Sequence, residues 1–255
     1  MTYPSDSKLW ITIPKPQPAA RMRLFCVPYA GGSLSAYSKW PALLGDDVEV
    51  AVIQLPGHGS RYREPPLTRL SAVTQALTGV MPPLLDKPYA VFGQSLGALI
   101  SFELLRELRR QQHPAPQHLF VSARSAPHLA NDWMPIHTLA DAPMVKEVQR
   151  RYGGIPQAIL EDDELLQLFL PVLRADLEIL ETYDYTPGAP LACDLTVYGG
   201  YQDWATPDEQ LSVWAEHTSG RFVQQMFPGN HFFVQNTPSF LRAFSSHLAE
   251  LVVRV

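Results

Sequence analysis

Cysteine is nearly absent from this 255-residue chain, which has Cys26 and Cys193 and no others. Two thiols without a C-x-x-C spacing make no disulfide framework, and both are expected buried and reduced. Basic blocks are missing too. Twenty Lys and Arg stand against 25 Asp and Glu, a formal charge of −5, which argues against nucleic acid or an anionic membrane as partner. No apolar run reaches membrane-spanning length, so no transmembrane helix is expected. The start, Met1-Thr2-Tyr3-Pro4-Ser5-Asp6, lacks a basic region followed by an apolar core, and no secretion signal is expected there. Charged residues, at 18%, are too few for a disordered chain, whereas 46% apolar residues and a mean hydropathy of −0.07 fit a globular one. A chain this long should bury about 70–75% of its unfolded surface and fold without disulfide or metal. What remains is a cytoplasmic enzyme or binding protein, monomeric by default.

Proline is the residue in excess, 24 in all, set mostly between periodic segments. The first several residues are expected to be loosely held, with an edge strand over 9–13. Short apolar runs then alternate with helical patterns. Strands are expected over 22–27, 48–55, 89–92, 119–123, 195–198 and 222–227. Consecutive apolar positions such as Ala51-Val52-Ile53 suit strands covered on both faces of a parallel sheet. Helices are expected near 35–45, 68–81, 96–112, 207–217 and 238–251. In the third, Leu96, Leu99, Ile100, Leu104 and Leu108 share a face, and Arg106, Arg109 and Arg110 fall in the last turns, where cations favour the helix dipole. The alternation means an α/β fold with a mostly parallel sheet. Residues 126–190 break it and read as helical, most strongly over 163–183, with Pro171 expected to bend or divide that helix. The expected organisation is a core of residues 1–125 and 191–255 carrying a helical lid at 126–190.

The strand ending at Phe92 runs into Gly93-Gln94-Ser95-Leu96-Gly97 and then directly into a helix. This is G-x-S-x-G in a strand–turn–helix setting, where the turn is too tight for side chains at the flanking positions and presents a serine hydroxyl above the sheet. A serine needs a base and an orienting acid, expected later in the chain in the order Asp or Glu, then His, each just past a strand. Asp203 follows the strand and glycine break of Thr196-Val197-Tyr198-Gly199-Gly200, and His231 follows the last strand and Pro228-Gly229-Asn230. Their competitors are placed worse: His217 and His247 fall within helices, Asp194 precedes its strand, and Asp208 suits a helix N-terminus. Backbone donors for an oxyanion are expected from Leu96, after the nucleophile, and from the loop Pro28-Tyr29-Ala30-Gly31-Gly32. There Ala30 is favoured and Gly31 is the fallback.

Four segments together, Pro28-Tyr29-Ala30-Gly31-Gly32-Ser33, Gln54-Leu55-Pro56-Gly57, Gly93-Gln94-Ser95-Leu96-Gly97-Ala98 and Gly229-Asn230-His231-Phe232-Phe233, resemble the type II thioesterases. These are the stand-alone α/β-hydrolases that accompany nonribosomal peptide and polyketide synthases. The resemblance runs from about Met22 to Leu248. It implies an α/β-hydrolase fold with a helical lid, and hydrolysis of acyl thioesters held on the phosphopantetheine arm of a carrier domain. Carried over residue by residue, it implies a triad of Ser95, Asp203 and His231 and oxyanion amides at Ala30 and Leu96. It implies no metal or organic cofactor, since the substrate brings the phosphopantetheine. Two positions depart from the family: Gln94 stands where many members have His, and His58 follows Gly57 where Arg is usual. Arg21, Arg23, Arg61 and Arg63 are candidates to meet an acidic carrier domain. The competing readings are a medium-chain fatty-acyl thioesterase or a small-ester carboxylesterase of the same fold, and, more remotely, a non-catalytic module.

Overall fold

A computed structural model describes residues 7–129 and 133–254; the loosely held start expected from the sequence lies outside them. Seven strands form one sheet: β1 (Ile11–Thr12), β2 (Met22–Val27), β3 (Val48–Ile53), β4 (Tyr89–Gln94), β5 (His118–Ser122), β6 (Asp194–Gly200) and β7 (Phe222–Phe227). Their order across the sheet is β1-β3-β2-β4-β5-β6-β7. Every pairing is parallel except that of β1 with β3. Five helices of eleven residues or more accompany them: α1 (Leu70–Val80), α2 (Leu96–Arg110), α3 (Asp141–Arg151), α4 (Asp163–Glu181) and α5 (Pro238–Arg254).

The strand period of two divides the core into two layers. Phe25, Val27, Ala51, Ile53, Val91, Leu119 and Val121 pack against α1 and α2 on one face. Leu24, Cys26, Val50, Val52, Phe92 and Phe120 meet Phe240, Phe244 and Leu248 of α5 on the other. Each such large side chain is worth about 1.5–3 kcal/mol when fully buried. Cys26 and Cys193 are both free and buried. Among the described residues, no helix is long and apolar enough to cross a membrane.

Several local expectations need correction. The edge strand over 9–13 shortens to Ile11–Thr12, because Ser7–Trp10 forms a helical turn that sends the Trp10 ring into the core. The helix near 35–45 breaks into a 3-10 turn, Leu34–Tyr37, and a separate turn, Trp40–Leu43. Pro41 has no N–H to continue the first turn and favours opening a new one. Pro171 does not divide α4, which continues to Glu181. It withholds one donor, from the carbonyl of the exposed Gln167, which water can serve, while the buried Val172, Leu173 and Leu177 hold the helix down.

Between β5 and β6 lies the inserted segment. Its helices enclose a small core of their own, with Ile136, Met144, Val148, Leu170, Leu173 and Leu177, which also touches Ala30. Residues 182–190 carry no helix, contrary to the sequence reading. They run as a strap whose carbonyls at Thr186, Ala189 and Pro190 accept from Arg106 and Arg109 of α2, at 2.6–2.9 Å. Those arginines therefore fix the strap as well as suiting the helix dipole.

Candidate active site

β4 ends at Gln94 and α2 begins at Leu96, leaving one residue to reverse the chain. That residue, Ser95, takes φ +53° and ψ −113°, a conformation that costs a non-glycine residue about 1–3 kcal/mol. The flanking glycines are required by contact. A Cβ at position 93 would stand 2.3 Å from the Gly97 carbonyl oxygen, and one at 97 would stand 2.0 Å from that of Val27. The Ser95 N–H donates to the Ser122 carbonyl at 2.8 Å, which locks the turn to β5.

Above this turn the loops after β6 and β7 converge. His231 Nε2 lies 3.0 Å from Ser95 Oγ, and its Nδ1 lies 2.8 Å from Asp203 Oδ2. A carboxylate only accepts, so Nδ1 carries the proton and Nε2 is left to accept from the serine hydroxyl. Asp203 also accepts from Thr206 Oγ1 at 2.6 Å and from the Ala205 N–H at 3.1 Å. Burial works against its charge, but the hydrogen bond and charge of His231, with Thr206 and Ala205, hold its pKa below the ordinary carboxylate value. All three side chains are buried. The competitors stay apart from this series. His217 meets His128 at 2.7 Å, and burial pushes its pKa down to about 4. His247 lies near Tyr198, Asp194 accepts from the Arg221 amide, and Asp208 accepts from Gln224.

In the loop after β2 the two candidate amides differ. Gly31 N–H donates to Asp176 Oδ2 of α4 at 2.7 Å and is already engaged. Leu96 N–H opens α2 and has no acceptor within the helix. Asp176 also meets His58 Nε2 at 2.8 Å, while His58 Nδ1 faces the Pro56 carbonyl at 3.1 Å. Both ring nitrogens face acceptors, an arrangement that favours the protonated ring. Its burial opposes that charge, but Asp176 and the Pro56 and Leu55 carbonyls outweigh the burial and raise its pKa. Sequence reasoning passed over Asp176. Its signal was a carboxylate on the same helical face as Leu173, Leu177 and Leu180, a place where an acid needs a partner.

Gln94 is fully buried and exchanges two amide hydrogen bonds with Gln235, at 2.7 and 3.1 Å, while reaching the His231 carbonyl at 3.4 Å. It thus ties the nucleophile strand to the histidine loop. Of the four arginines proposed to meet a carrier domain, two are structural. Arg23 is buried against Glu49 and Asp86, and Arg61 is buried against Glu64 and stacks over Trp10. Arg21 sits before β2, at the end of the sheet away from Ser95. Arg63 alone of the four is exposed on the side of the site.

Beside Ser95 and His231 an apolar cavity of about 30 Å³, room for one or two waters, lies among Tyr29, Val148, Ile155, Phe169, Leu173 and Leu177. The Phe169 ring occupies the space a side chain at position 31 would need. Among the described residues, no group of three His, Cys, Asp or Glu side chains is placed to hold a metal.

Residues 22–248 match a family model described as a thioesterase domain. The gramicidin S biosynthesis protein GrsT of Aneurinibacillus migulanus is 39% identical over 234 residues, covering 92% of this chain and 91% of that protein. RedJ, a thioesterase from the prodiginine biosynthetic pathway in Streptomyces coelicolor, superposes with a TM-score of 0.82 at 41% identity over 92% of each chain. BorB, the type II thioesterase from the borrelidin biosynthetic cluster, does so at 0.85 and 32% identity, over 97% of this chain and all of its own. The matched span runs from the first residue of β2 into α5 and takes in every loop that carries the hydrogen-bonded series, so this chain belongs to the thioesterase domain family and stands among its type II members.

Proposed function

We propose that this protein hydrolyses acyl thioesters held on the phosphopantetheine arms of carrier domains, clearing stalled or mis-primed chains from a nonribosomal peptide or polyketide synthase. The observation that carries the reading is the Ser95–His231–Asp203 series within a chain whose relatives serve such pathways. Ser95 is the nucleophile. As its Oγ attacks the thioester carbonyl, the proton passes to His231 Nε2, and Asp203 holds the imidazole tautomer and steadies its cation. The amides of Ala30 and Leu96 receive the oxyanion, each donor worth about 10²–10³ in kcat. Collapse expels the thiol, which takes the proton from His231. Water then attacks the acyl-serine, losing its proton to His231, and the carboxylic acid leaves as Ser95 is reprotonated. These steps balance with water alone and call on no metal or organic cofactor. Residues 126–190 act as a lid that keeps bulk water from the acyl-serine, and the free, buried cysteines suit a reducing cytoplasm.

Gln94 positions His231 rather than touching substrate. Gln94→Leu strands the Gln235 amide and frees the histidine loop, and kcat is expected to fall about tenfold with KM little changed. Gln94→Glu, which keeps one acceptor, should recover part of the loss. A kcat equal to that of the parent would show that the loop needs no such tie.

The function itself is tested by intact-mass spectrometry of carrier domains loaded with acetyl, propionyl or octanoyl groups, before and after exposure to the enzyme. Loss of the acyl mass with return of the free thiol is expected, at a kcat/KM above that for p-nitrophenyl esters. A marked preference for the oxoester would make the protein an esterase. Turnover confined to octanoyl thioesters would make it a fatty-acyl thioesterase.

A further inference from the structure

Ser95 and His231 stand at a wall between two cavities of opposite character. One is the small apolar cavity described above. The other, of about 180 Å³, is polar and lined by Arg124, Ser125, Thr206 and Gln210, while Tyr152 and Leu180 face both. A thioester has two halves. If the acyl half enters on the apolar side, among Tyr29, Phe169 and Leu173, the polar cavity is left for the thiol half.

Arg124 gives the polar cavity its chemistry. It follows Ala123, whose φ of +51° is a strained value for a residue with a side chain. Its carbonyl is pinned by the Trp214 indole N–H at 2.7 Å. Its Nε is buried and, among the described residues, meets no acceptor. Among the described residues, burial lowers its pKa and the opposing influences are the Tyr152 and Tyr183 phenols. A buried N–H without an acceptor is costly, and a ligand carbonyl at Nε would relieve it. Around it, Ser125 and Gln210 pair with each other at 2.6 Å and offer neutral donors and acceptors.

The polar cavity also leads outward. Trp133 and Trp204, their ring centroids 5.5 Å apart, line both it and an open groove of about 580 Å³ that includes Met134, Arg150 and Arg151. Arg150 stacks on Trp204 and Arg151 on Trp133, and among the described residues that line the groove these two guanidiniums share the single carboxylate of Glu147. Met134 and Trp204 are 71% and 54% exposed there. The rim is therefore apolar and cationic, although the chain as a whole is acidic.

Building on the thioesterase reading, we propose that this route admits the phosphopantetheine arm. An arm amide carbonyl accepts from Arg124, the phosphate lies at the exposed Arg150, and an acidic carrier domain docks on the Met134–Trp204 rim. The test places one acyl group, propionyl, on four thiols of decreasing arm content: a carrier domain, pantetheine, N-acetylcysteamine and methanethiol. For Arg124→Met, the fall in kcat/KM with the pantetheine thioester should exceed the fall with the S-methyl thioester by about tenfold or more, and Arg124→Lys should recover part of it. For Arg150→Glu and Trp204→Ala, both at the exposed rim and so independent of how the buried variant folds, the excess loss should appear with the carrier domain over pantetheine. For Arg150→Glu it should shrink as salt rises. Equal losses on all four substrates, or none, overturn the route. A loss for Arg124→Met that appears only when succinyl replaces propionyl also overturns it, since the polar cavity would then receive the acyl group. Parent enzyme that turns over the S-methyl thioester but no carrier-bound one would refute the carrier reading itself.

Discussion

Ser95→Ala is expected to lower kcat by on the order of 10⁶, the loss seen when a hydrolase of this type is left without its nucleophile. The expectation follows from geometry: Ser95 Oγ is the hydroxyl His231 Nε2 meets, at 3.0 Å, and the imidazole is already oriented by Asp203. Asp203→Asn should cost about 10⁴, because an amide in that place favours the wrong imidazole tautomer. The strained backbone supplies a control on folding. Alanine at φ +53° retains the strain, whereas glycine releases it. Ser95→Gly should therefore be as inactive as Ser95→Ala, yet about 1–3 kcal/mol more stable in urea unfolding. An alanine enzyme within tenfold of the parent rate would remove Ser95 from the mechanism.

Asp176→Ala is expected to destabilise the fold by about 1–3 kcal/mol, because it leaves the buried His58 Nε2 without its acceptor. It also releases the Gly31 amide, so the Ala30 loop loses its tether to α4 and kcat should fall by about 10². The pair has a pH signature. The folded state raises the His58 pKa above the 6.5 of a free imidazole. Its contribution to stability is then complete below that value and is lost as pH rises through the higher, folded-state pKa. Unfolding free energy should accordingly decline from mildly acidic to mildly alkaline solution in the parent protein and lose most of that slope in Asp176→Asn. An unchanged slope would show that His58 is not the titrating group.

The sheet and the nucleophile turn were legible in the sequence because both are local. Consecutive apolar triplets announced strands covered on both faces, and Gly93 and Gly97 announced a reversal with no room for side chains. The convergence of Asp203 and His231 was legible through topology, since each follows a parallel strand and parallel strands end on the same edge. Long-range polar pairs left no such trace. Asp176 finds His58 across 118 residues and Gly31 across 145, and Gln94 finds Gln235 across 141. Their partners depend on how the inserted segment and the last loop settle, which no local period encodes. The strap over 182–190 escaped notice for the same reason: its order comes from contacts with α2, where Arg106 and Arg109 hold its carbonyls and Glu103 accepts from Tyr183.

His231 hangs from β7, the outermost rung of the sheet, whose residues are mostly half-buried and which has a neighbouring strand on one side alone. Heating should loosen that flank before it melts the interior, so the temperature at which activity fades reports the grip of one border strand. Longer working life is to be sought by bracing the border, not by repacking the centre.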